Sequence, residues 1–130
     1  MAVAPLNQVR RVVEYALSRI PTEKILMGIP NYGYDWPLPY EKGITKATVI
    51  GNVEAVRIAI ANHAAIAYDE TAQTPHFTYV LNGRQHEVWF EDVRSIEAKL
   101  NLAKEYGLRG VGYWNLMKPF RANWLMLERE

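Results

Sequence analysis

Two short apolar runs, each next to helical patterns, constrain the fold of this chain more than any other feature. The runs are ILMGIP at residues 25–30 and GVGYW at residues 110–114. Neither alternates apolar with polar residues, which is typical of strands buried on both faces of a parallel sheet. Because helical segments join the two strands, the sequence predicts parallel βα units and an α/β fold.

Two parallel strands alone leave the outer edges of their sheet unpaired, an arrangement that natural proteins avoid. The edges can be covered by strands from the intervening segment, by a partner chain, or by the rest of a larger domain. We favour the larger domain, so the chain is expected to be part of a bigger fold.

Helical periodicity flanks both runs. The first helix is expected to end before Pro21 and to bury one face: Val9, Val12, Val13, Ala16, Leu17 and Ile20. A second long helix is expected to start at the cap Asp92, to end at Gly107, and to bury Val93, Ile96, Leu100 and Ala103. A last amphipathic helix is predicted over residues 124–130.

The segment between the runs, residues 31–91, reads as a small α+β subdomain. Residues 31–39 are rich in turn formers, so neither a helix nor a central strand is expected there. Asn52 is a plausible cap for a short helix through Ala61, and Val53, Val56 and Ile60 are expected to form its buried face. A strand is predicted at residues 65–68, and a hairpin joins residues 74–81 to 85–90 around Asn82-Gly83.

Composition narrows the class of protein. The chain has 130 residues, 49% of them hydrophobic, a net charge of +1 and no cysteine, which is typical of one globular domain without disulfides. The near-neutral charge argues against nucleic acid as a main partner. No apolar run is long enough for a membrane span, and the first residues lack the pattern of a cleavable signal.

Familiar cofactor and nucleophile motifs are not matched. The three histidines, His63, His76 and His86, have no ligand spacing, so no metal or other cofactor is predicted, and a partly buried packing role is expected for His86. The glycines at 107, 110 and 112 follow a helix and enter a strand, the reverse of a dinucleotide fingerprint. No serine stands in a nucleophile elbow.

Two pairs of carboxylates, Asp69-Glu70 and Glu91-Asp92, are candidates for acid and base chemistry. Adjacent residues on a strand point to opposite faces, so neither pair shares a site automatically. Asp92 already has a sufficient role as a helix cap. We therefore favour structural roles for both pairs.

Aromatic residues cluster where the two apolar runs end. Ligands of parallel βα folds bind outside the carboxyl ends of the strands, the position of four aromatic residues: Tyr32, Tyr34, Trp36 and Trp114. Sugar rings could stack on these side chains while their hydroxyls pair with Asn31, Asp35 or Asn115. The residues alone equally allow that the aromatics plug the end of a core.

At these positions the chain resembles glycoside hydrolase family 18, the chitinase-like (β/α)8 barrels, and within it the spore germination and cortex-lytic N-acetylglucosaminidase group. The resemblance rests on APLNQV (4–9), KILMGIPNYGYDW (24–36), VWFED (88–92), GVGYWNL (110–116), PF (119–120) and NW (123–124). These motifs cover nearly the whole chain, in order and with sensible spacing.

The resemblance implies that residues 25–30 and 110–114 are the seventh and eighth barrel strands, and that residues 7–20 are the sixth helix. Residues 1–30 and 92–130 would then be the C-terminal portion of a (β/α)8 barrel. Residues 31–91 would be an α+β insertion forming one wall of a substrate groove.

The family's Asp-x-x-Asp-x-Asp-x-Glu signature, which carries the general acid, does not occur in this chain. The resemblance therefore implies a fragment of a retaining, substrate-assisted glycosidase acting on N-acetylglucosamine-containing polysaccharide. Trp114 would floor the subsite of the reacting sugar and Tyr32 would line it, beside Tyr34 and Trp36. No catalytic residue is assigned, and the fragment alone is expected to be inactive.

The polymer would be peptidoglycan of the spore cortex ahead of chitin, which implies a spore, cell-wall or extracellular location. A non-catalytic carbohydrate-binding or oligomerising module is the alternative. Exposed sheet edges predict a homo-oligomer in either case.

Overall fold

The protein's structure, a computed structural model, describes residues 1–129. Its helices are α1 (Leu6–Leu17), α2 (Asn52–Ala61), α3 (Val93–Glu105) and α4 (Arg121–Leu127), and a 3-10 turn spans Thr22–Lys24. Its strands are β1 (Leu26–Pro30), β2 (Gly33–Pro37), β3 (Thr48–Ile50), β4 (Ala67–Asp69), β5 (Thr74–Leu81), β6 (Arg84–Trp89) and β7 (Gly110–Trp114). Within residues 1–129 these strands form two separate sheets.

The first sheet is the predicted parallel pair. β1 and β7 run from Leu26 opposite Gly110 to Pro30 opposite Trp114. One face packs against α1, α3 and α4 around a core that consists of Val13, Met27, Ile29, Ile96, Leu100, Leu102, Ala103 and Phe120. On the other face Leu26 is 62% and Trp114 is 70% exposed. The prediction of burial on both faces was therefore wrong for this chain, because the helices of residues 1–129 cover one side only.

Helix α1 is shorter and less buried than predicted. It ends at Leu17, and the backbone N–H groups of Arg19 and Ile20 still bond to the carbonyl of Ala16, so the turn closes before Pro21. Val13 faces the core, whereas Val12 is 68% exposed. The apolar stripe of α1 is thus wider than the part of the helix that packs against the core of this chain.

Helix α3 begins and ends where the sequence predicts. Asp92 accepts a hydrogen bond from the backbone N–H of Ser95, and the Ser95 hydroxyl accepts one from the N–H of Asp92, a reciprocal capping box. Gly107 adopts the left-handed region with φ +60° just past the end, which glycine does without steric cost. Ile96, Leu100 and Ala103 are buried, but Val93 is 36% exposed.

The intervening segment forms a five-stranded antiparallel sheet in the order β3-β2-β6-β5-β4. The predicted hairpin β5–β6 is confirmed, with Asn82 and Gly83 at φ +51° and +76°. The expectation that residues 31–39 hold no central strand was wrong, because β2 lies between β3 and β6. Its Pro37 is the last residue of the strand, where a missing N–H is tolerated.

Helix α2 covers one face of this sheet with a different surface from the one predicted. Its buried residues are Asn52, Ala55 and Ala59, and the two alanines pack in a core with Phe77, Tyr79, Val88 and Phe90. The expected inward residues are exposed, by 40% for Val53, 38% for Val56 and 70% for Ile60. Small alanines let the helix approach the bulky aromatics, so volume, and not hydrophobicity alone, decides which face is buried.

Three further boundaries differ from the predictions. Gly51 is the N-cap of α2 and Asn52 its first helical residue; the side chain of Asn52 instead accepts from the N–H of Glu91. The strand expected at residues 65–68 is Ala67–Asp69. The last helix begins earlier, at Arg121, and ends at Leu127, while Glu130 lies outside the described residues.

Candidate functional site

Trp114 stands at the carboxyl end of the parallel pair with its side chain 70% exposed. It is the last residue of β7, opposite Pro30, and its carbonyl accepts a 2.7 Å hydrogen bond from the backbone N–H of Asn31. The Trp114–Asn115 peptide bond is cis. The strand pairing thus presents a large indole where ligands of parallel βα folds bind.

Asn31 and Asn115 hold the loop behind this tryptophan. The amide nitrogen of Asn31 donates to the carbonyls of Asn115, at 3.1 Å, and Lys118, at 2.9 Å, while Asn115 is half-buried and accepts from the N–H of Met117. Asn31 has no exposed surface, so it offers no atom to a ligand. The predicted contact between Asn31 and a sugar is therefore not supported, and we assign Asn31 to positioning the loop.

Beyond Asn31, the three predicted aromatics Tyr32, Tyr34 and Trp36 form a continuous row of edge-to-face pairs, which the structure extends to Tyr40. Successive ring centroids lie 5.9 Å apart for Tyr32 and Tyr34, 5.6 Å for Tyr34 and Trp36, and 5.7 Å for Trp36 and Tyr40. Such pairs stabilise one another beyond their buried area. Partial burial raises the pKa of the Tyr32 hydroxyl, and the neighbouring Tyr34 raises it further to a smaller extent. We call these four residues the aromatic row.

The five-stranded sheet adds an aromatic residue that the sequence reasoning did not list as a site residue. Trp89 on β6 lies directly opposite Tyr34 in the strand register, and His76 on β5 stacks on it with ring centroids 4.3 Å apart. Trp89 was visible only as part of the VWFED motif. Its membership of this surface depends on the cross-strand register, which the sequence does not state.

On the opposite face of the same sheet, Asp35 belongs to a polar cluster. It accepts hydrogen bonds from Tyr79, at 2.5 Å, and pairs with Nδ1 of His86 at 2.8 Å. Burial raises the pKa of the Tyr79 hydroxyl, and the hydrogen bond to Asp35 is the second cause of this rise. Asp35 is 8% exposed, so it braces β2 instead of meeting a sugar hydroxyl, and the packing role expected for His86 takes this specific form.

The carboxylate pairs Asp69-Glu70 and Glu91-Asp92 include side chains that make hydrogen bonds and an ion pair within the fold. Glu91 is 1% exposed and bonds to the hydroxyl of Ser95 at 2.6 Å and to Nζ of Lys99 at 3.0 Å. Burial raises its pKa against the opposing effect of Lys99. Asp69 receives the backbone N–H groups of Thr71 and Ala72. In residues 1–129 no group of three or more His, Cys, Asp or Glu side chains could hold a metal ion.

Parallel βα units ending in an exposed tryptophan, with an α+β segment between them, fit the C-terminal part of a (β/α)8 barrel. The family model of glycosyl hydrolases family 18 matches residues 2–118. The chain belongs to this family, and the resemblance noted from the sequence is confirmed. No helix in residues 1–129 has the length and apolarity needed to cross a bilayer.

Comparisons with individual relatives agree with this family assignment. The chain is 54% identical over 127 residues to the cortical fragment-lytic enzyme of Bacillus subtilis (strain 168), covering 97% of this chain and 30% of that protein. It superposes with a TM-score of 0.92 on the spore cortex-lytic enzyme SleL of Bacillus megaterium QM B1551, at 51% identity, covering 98% of this chain and 30% of that one. For the Bacillus cereus SleL structure the TM-score is 0.93, at 48% identity and with the same coverages. The chain therefore spans about 30% of the length of these relatives.

Proposed function

We propose that this chain is the C-terminal part of a retaining glycosidase that acts on N-acetylglucosamine-containing polysaccharide, with peptidoglycan of the spore cortex ahead of chitin. The observation that carries the proposal is the 70% exposed indole of Trp114 at the carboxyl end of paired barrel strands. Family membership and the names of the cortex-lytic relatives support it.

In this proposal the chain supplies the substrate-binding wall. Trp114 floors the subsite of the reacting sugar, and Tyr32 lines it from the neighbouring strand end. The acetamido oxygen of the substrate attacks the anomeric carbon with retention of configuration, while a protonated carboxyl group donates to the leaving oxygen. Residues 1–30 and 92–130 form the barrel portion, and residues 31–91 form the insertion that walls the groove.

We propose that the 130-residue chain by itself does not hydrolyse glycosides. Its candidate acids are occupied: Glu91 is buried against Lys99, Asp92 caps α3, and Asp69 closes a turn. A general acid must be free to reach the leaving oxygen of the substrate, whereas these three carboxyl groups are engaged in the contacts just named.

Hydrolysis of a fluorogenic N-acetylglucosamine oligomer tests this directly. We expect no fluorophore release by the 130-residue chain and release by a chain extended upstream with the remainder of a family 18 catalytic domain. In the extended chain, Trp114→Ala should reduce kcat/KM by about tenfold or more, the effect of losing one well-packed aromatic contact. Release by the 130-residue chain would contradict the proposal and direct attention to Asp69, Glu70 and Glu91.

The second candidate is a non-catalytic carbohydrate-binding module. The observation in its favour is that the aromatic surface is present in a chain whose candidate acids Glu91 and Asp92 are engaged in structural contacts. Saccharide binding by the 130-residue chain, measured by calorimetry, should disappear in Trp114→Ala and persist in Tyr15→Ala, an exposed aromatic on α1. An inactive extended chain that still binds would favour this candidate over the glycosidase.

We propose that the 130-residue chain self-associates through the exposed edge of β1. Beside this edge lies an apolar groove of about 410 Å³ between α1 and β1, lined in part by Val9, Val12, Ala16 and Leu26. A second copy of the same edge satisfies the unpaired backbone groups. Light scattering should show a dimer or larger species, which Val12→Lys converts to monomer and Ile60→Lys, on the distant α2, does not. A monomeric parent chain would overturn this proposal.

A further inference from the structure

An apolar groove of about 390 Å³ lies where α2 meets the starts of α3 and α4. Its walls include Val53 and Val56 of α2, Val93 of α3, and Phe90. The three valines are each at least 36% exposed. Apolar side chains that are exposed together along one groove are typical of a surface that binds a partner.

Helix α2 carries apolar residues on two faces. Ala55 and Ala59 pack on the five-stranded sheet, and Val53, Val56 and Ile60 form a stripe on the side that stays exposed. The stripe follows the i, i+3, i+7 spacing of one helix face and is about 10 Å long. A helix that is apolar on two faces is typical of one covered on both sides, so the stripe indicates a second packing partner for α2.

The free charges at the rim of the groove are positive. Arg121 is exposed and makes no ion pair within residues 1–129. The ion pair of Arg57 in this part of the chain is a long 3.8 Å contact with Glu54, one helical turn away. The acidic groups of the walls, Glu91 and Asp92, already form ion pairs inside the chain. A partner that complements this rim therefore carries carboxylates.

Helix α2 and the aromatic row lie on opposite faces of the five-stranded sheet. Successive side chains of a strand point to opposite faces. Val88 of β6 packs with the alanines of α2, whereas the next residue, Trp89, lies opposite Tyr34 of the row. A partner that packs on α2 thus leaves the aromatic row free, and the groove is separate from the surface proposed to bind saccharide.

From these observations we propose that the groove is the docking site of an acidic amphipathic helix that belongs to another protein. The apolar side of that helix packs along the valine stripe of α2 and onto Val93, as amphipathic helices do in apolar grooves. Its flanking carboxylates meet Arg57 and Arg121, which select an acidic helix over a basic one. This interaction goes beyond the proposed function, because it concerns a protein partner and not the polysaccharide.

Nuclear magnetic resonance of valine methyl groups tests the docking site with two synthetic probes. The first is a helical peptide of about 15 residues with leucines on one face and glutamates on the other, and the second carries lysines in place of the glutamates. The acidic peptide should shift the methyl resonances of Val53, Val56 and Val93, and it should bind about tenfold more tightly than the basic peptide. Absence of these shifts at about 1 mM acidic peptide, or equal affinities of the two peptides, would overturn the proposal.

Charge reversal at the rim separates specific docking from general electrostatic attraction. The double variant Arg57→Glu/Arg121→Glu should weaken binding of the acidic peptide by about tenfold and strengthen binding of the basic peptide. The matched control is Arg11→Glu/Arg19→Glu, because both arginines are exposed, on and just after α1, and the net charge changes equally. An equal loss of acidic-peptide affinity in the two double variants would contradict a specific site.

Two other occupants of the groove give different results in the same measurement. Shifts of Val53 and Val56 that depend on protein concentration without peptide would show that a second copy of this chain fills the groove. Loss of acidic-peptide binding in a chain extended upstream with the remainder of a family 18 catalytic domain would show that the longer chain covers the groove itself. Either outcome would overturn the proposal of a separate protein partner.

Discussion

The Lys99 ammonium lies 3.0 Å from the Glu91 carboxylate, and neither side chain is more than 1% exposed. The pair joins the middle of α3 to a residue two positions after the end of β6. Ser95 adds a hydrogen bond to the same carboxylate oxygen, Oε2, and the N–H of Glu91 reaches Asn52 on α2. One buried network therefore ties the parallel pair's helix to the five-stranded sheet.

Removing one member of this pair should be costly. Glu91→Gln leaves the Lys99 charge buried without its partner, so we expect the free energy of unfolding to fall by about 3–5 kcal/mol. Urea denaturation followed by circular dichroism measures the change. The double variant Glu91→Gln/Lys99→Met should recover at least half of that loss, and a double variant no more stable than Glu91→Gln would contradict the explanation.

The effect of pH on Lys99→Met follows from the raised pKa of Glu91. Without Lys99, burial acts unopposed and the folded pKa of Glu91 rises further above its unfolded value. A group with a raised carboxyl pKa stabilises the fold below the unfolded pKa, and this contribution is lost as pH rises through the folded pKa. The free energy of unfolding of the parent chain minus that of the Lys99→Met chain should therefore be smallest at about pH 4 and largest at about pH 8. A difference independent of pH would contradict this assignment.

Gly33 permits the close packing that starts the aromatic row. A Cβ at this position would lie 2.8 Å from Cβ of Phe90 and against the carbonyl oxygen of Trp89. Because the main chain of β6 cannot retreat easily, Gly33→Ala should lower the free energy of unfolding by about 3 kcal/mol or more. Urea denaturation measures this change, and near-ultraviolet circular dichroism should report the displaced aromatics. Gly112→Ala is the control, because its Cβ meets nothing within 4 Å.

Tyr79 supplies a donor that the buried Asp35 needs. Tyr79→Phe removes the 2.5 Å hydrogen bond and leaves one carboxylate oxygen unsatisfied, which should cost about 1–3 kcal/mol of unfolding free energy. Thermal and urea denaturation both measure this loss. Tyr40→Phe, at a side chain 47% exposed, should stay within about 0.5 kcal/mol of the parent. Equal stabilities for the two variants would show that Asp35 does not depend on Tyr79.

The sequence by itself determined the elements whose signals are local. The two apolar runs gave the parallel strands, Asn82-Gly83 gave the hairpin, and Asp92 with Gly107 gave the limits of α3. Each signal works because a turn or cap requires particular backbone angles or donors within a few residues. The ordered motifs also identified the family, and with it the barrel to which the strands belong.

Only the tertiary structure decided which surfaces are covered and which side chains meet. Periodicity shows that a helix has an apolar face, but the shape of the sheet against which the helix packs decides which face is buried. In α2 the buried face carries Ala55 and Ala59 and not the larger aliphatic side chains. Asn31 looked available beside the aromatics and is fully buried under the loop it holds. Tyr34 and Trp89 are 55 residues apart in sequence and lie opposite each other because the register of β2 and β6 pairs them, information that no local pattern contains.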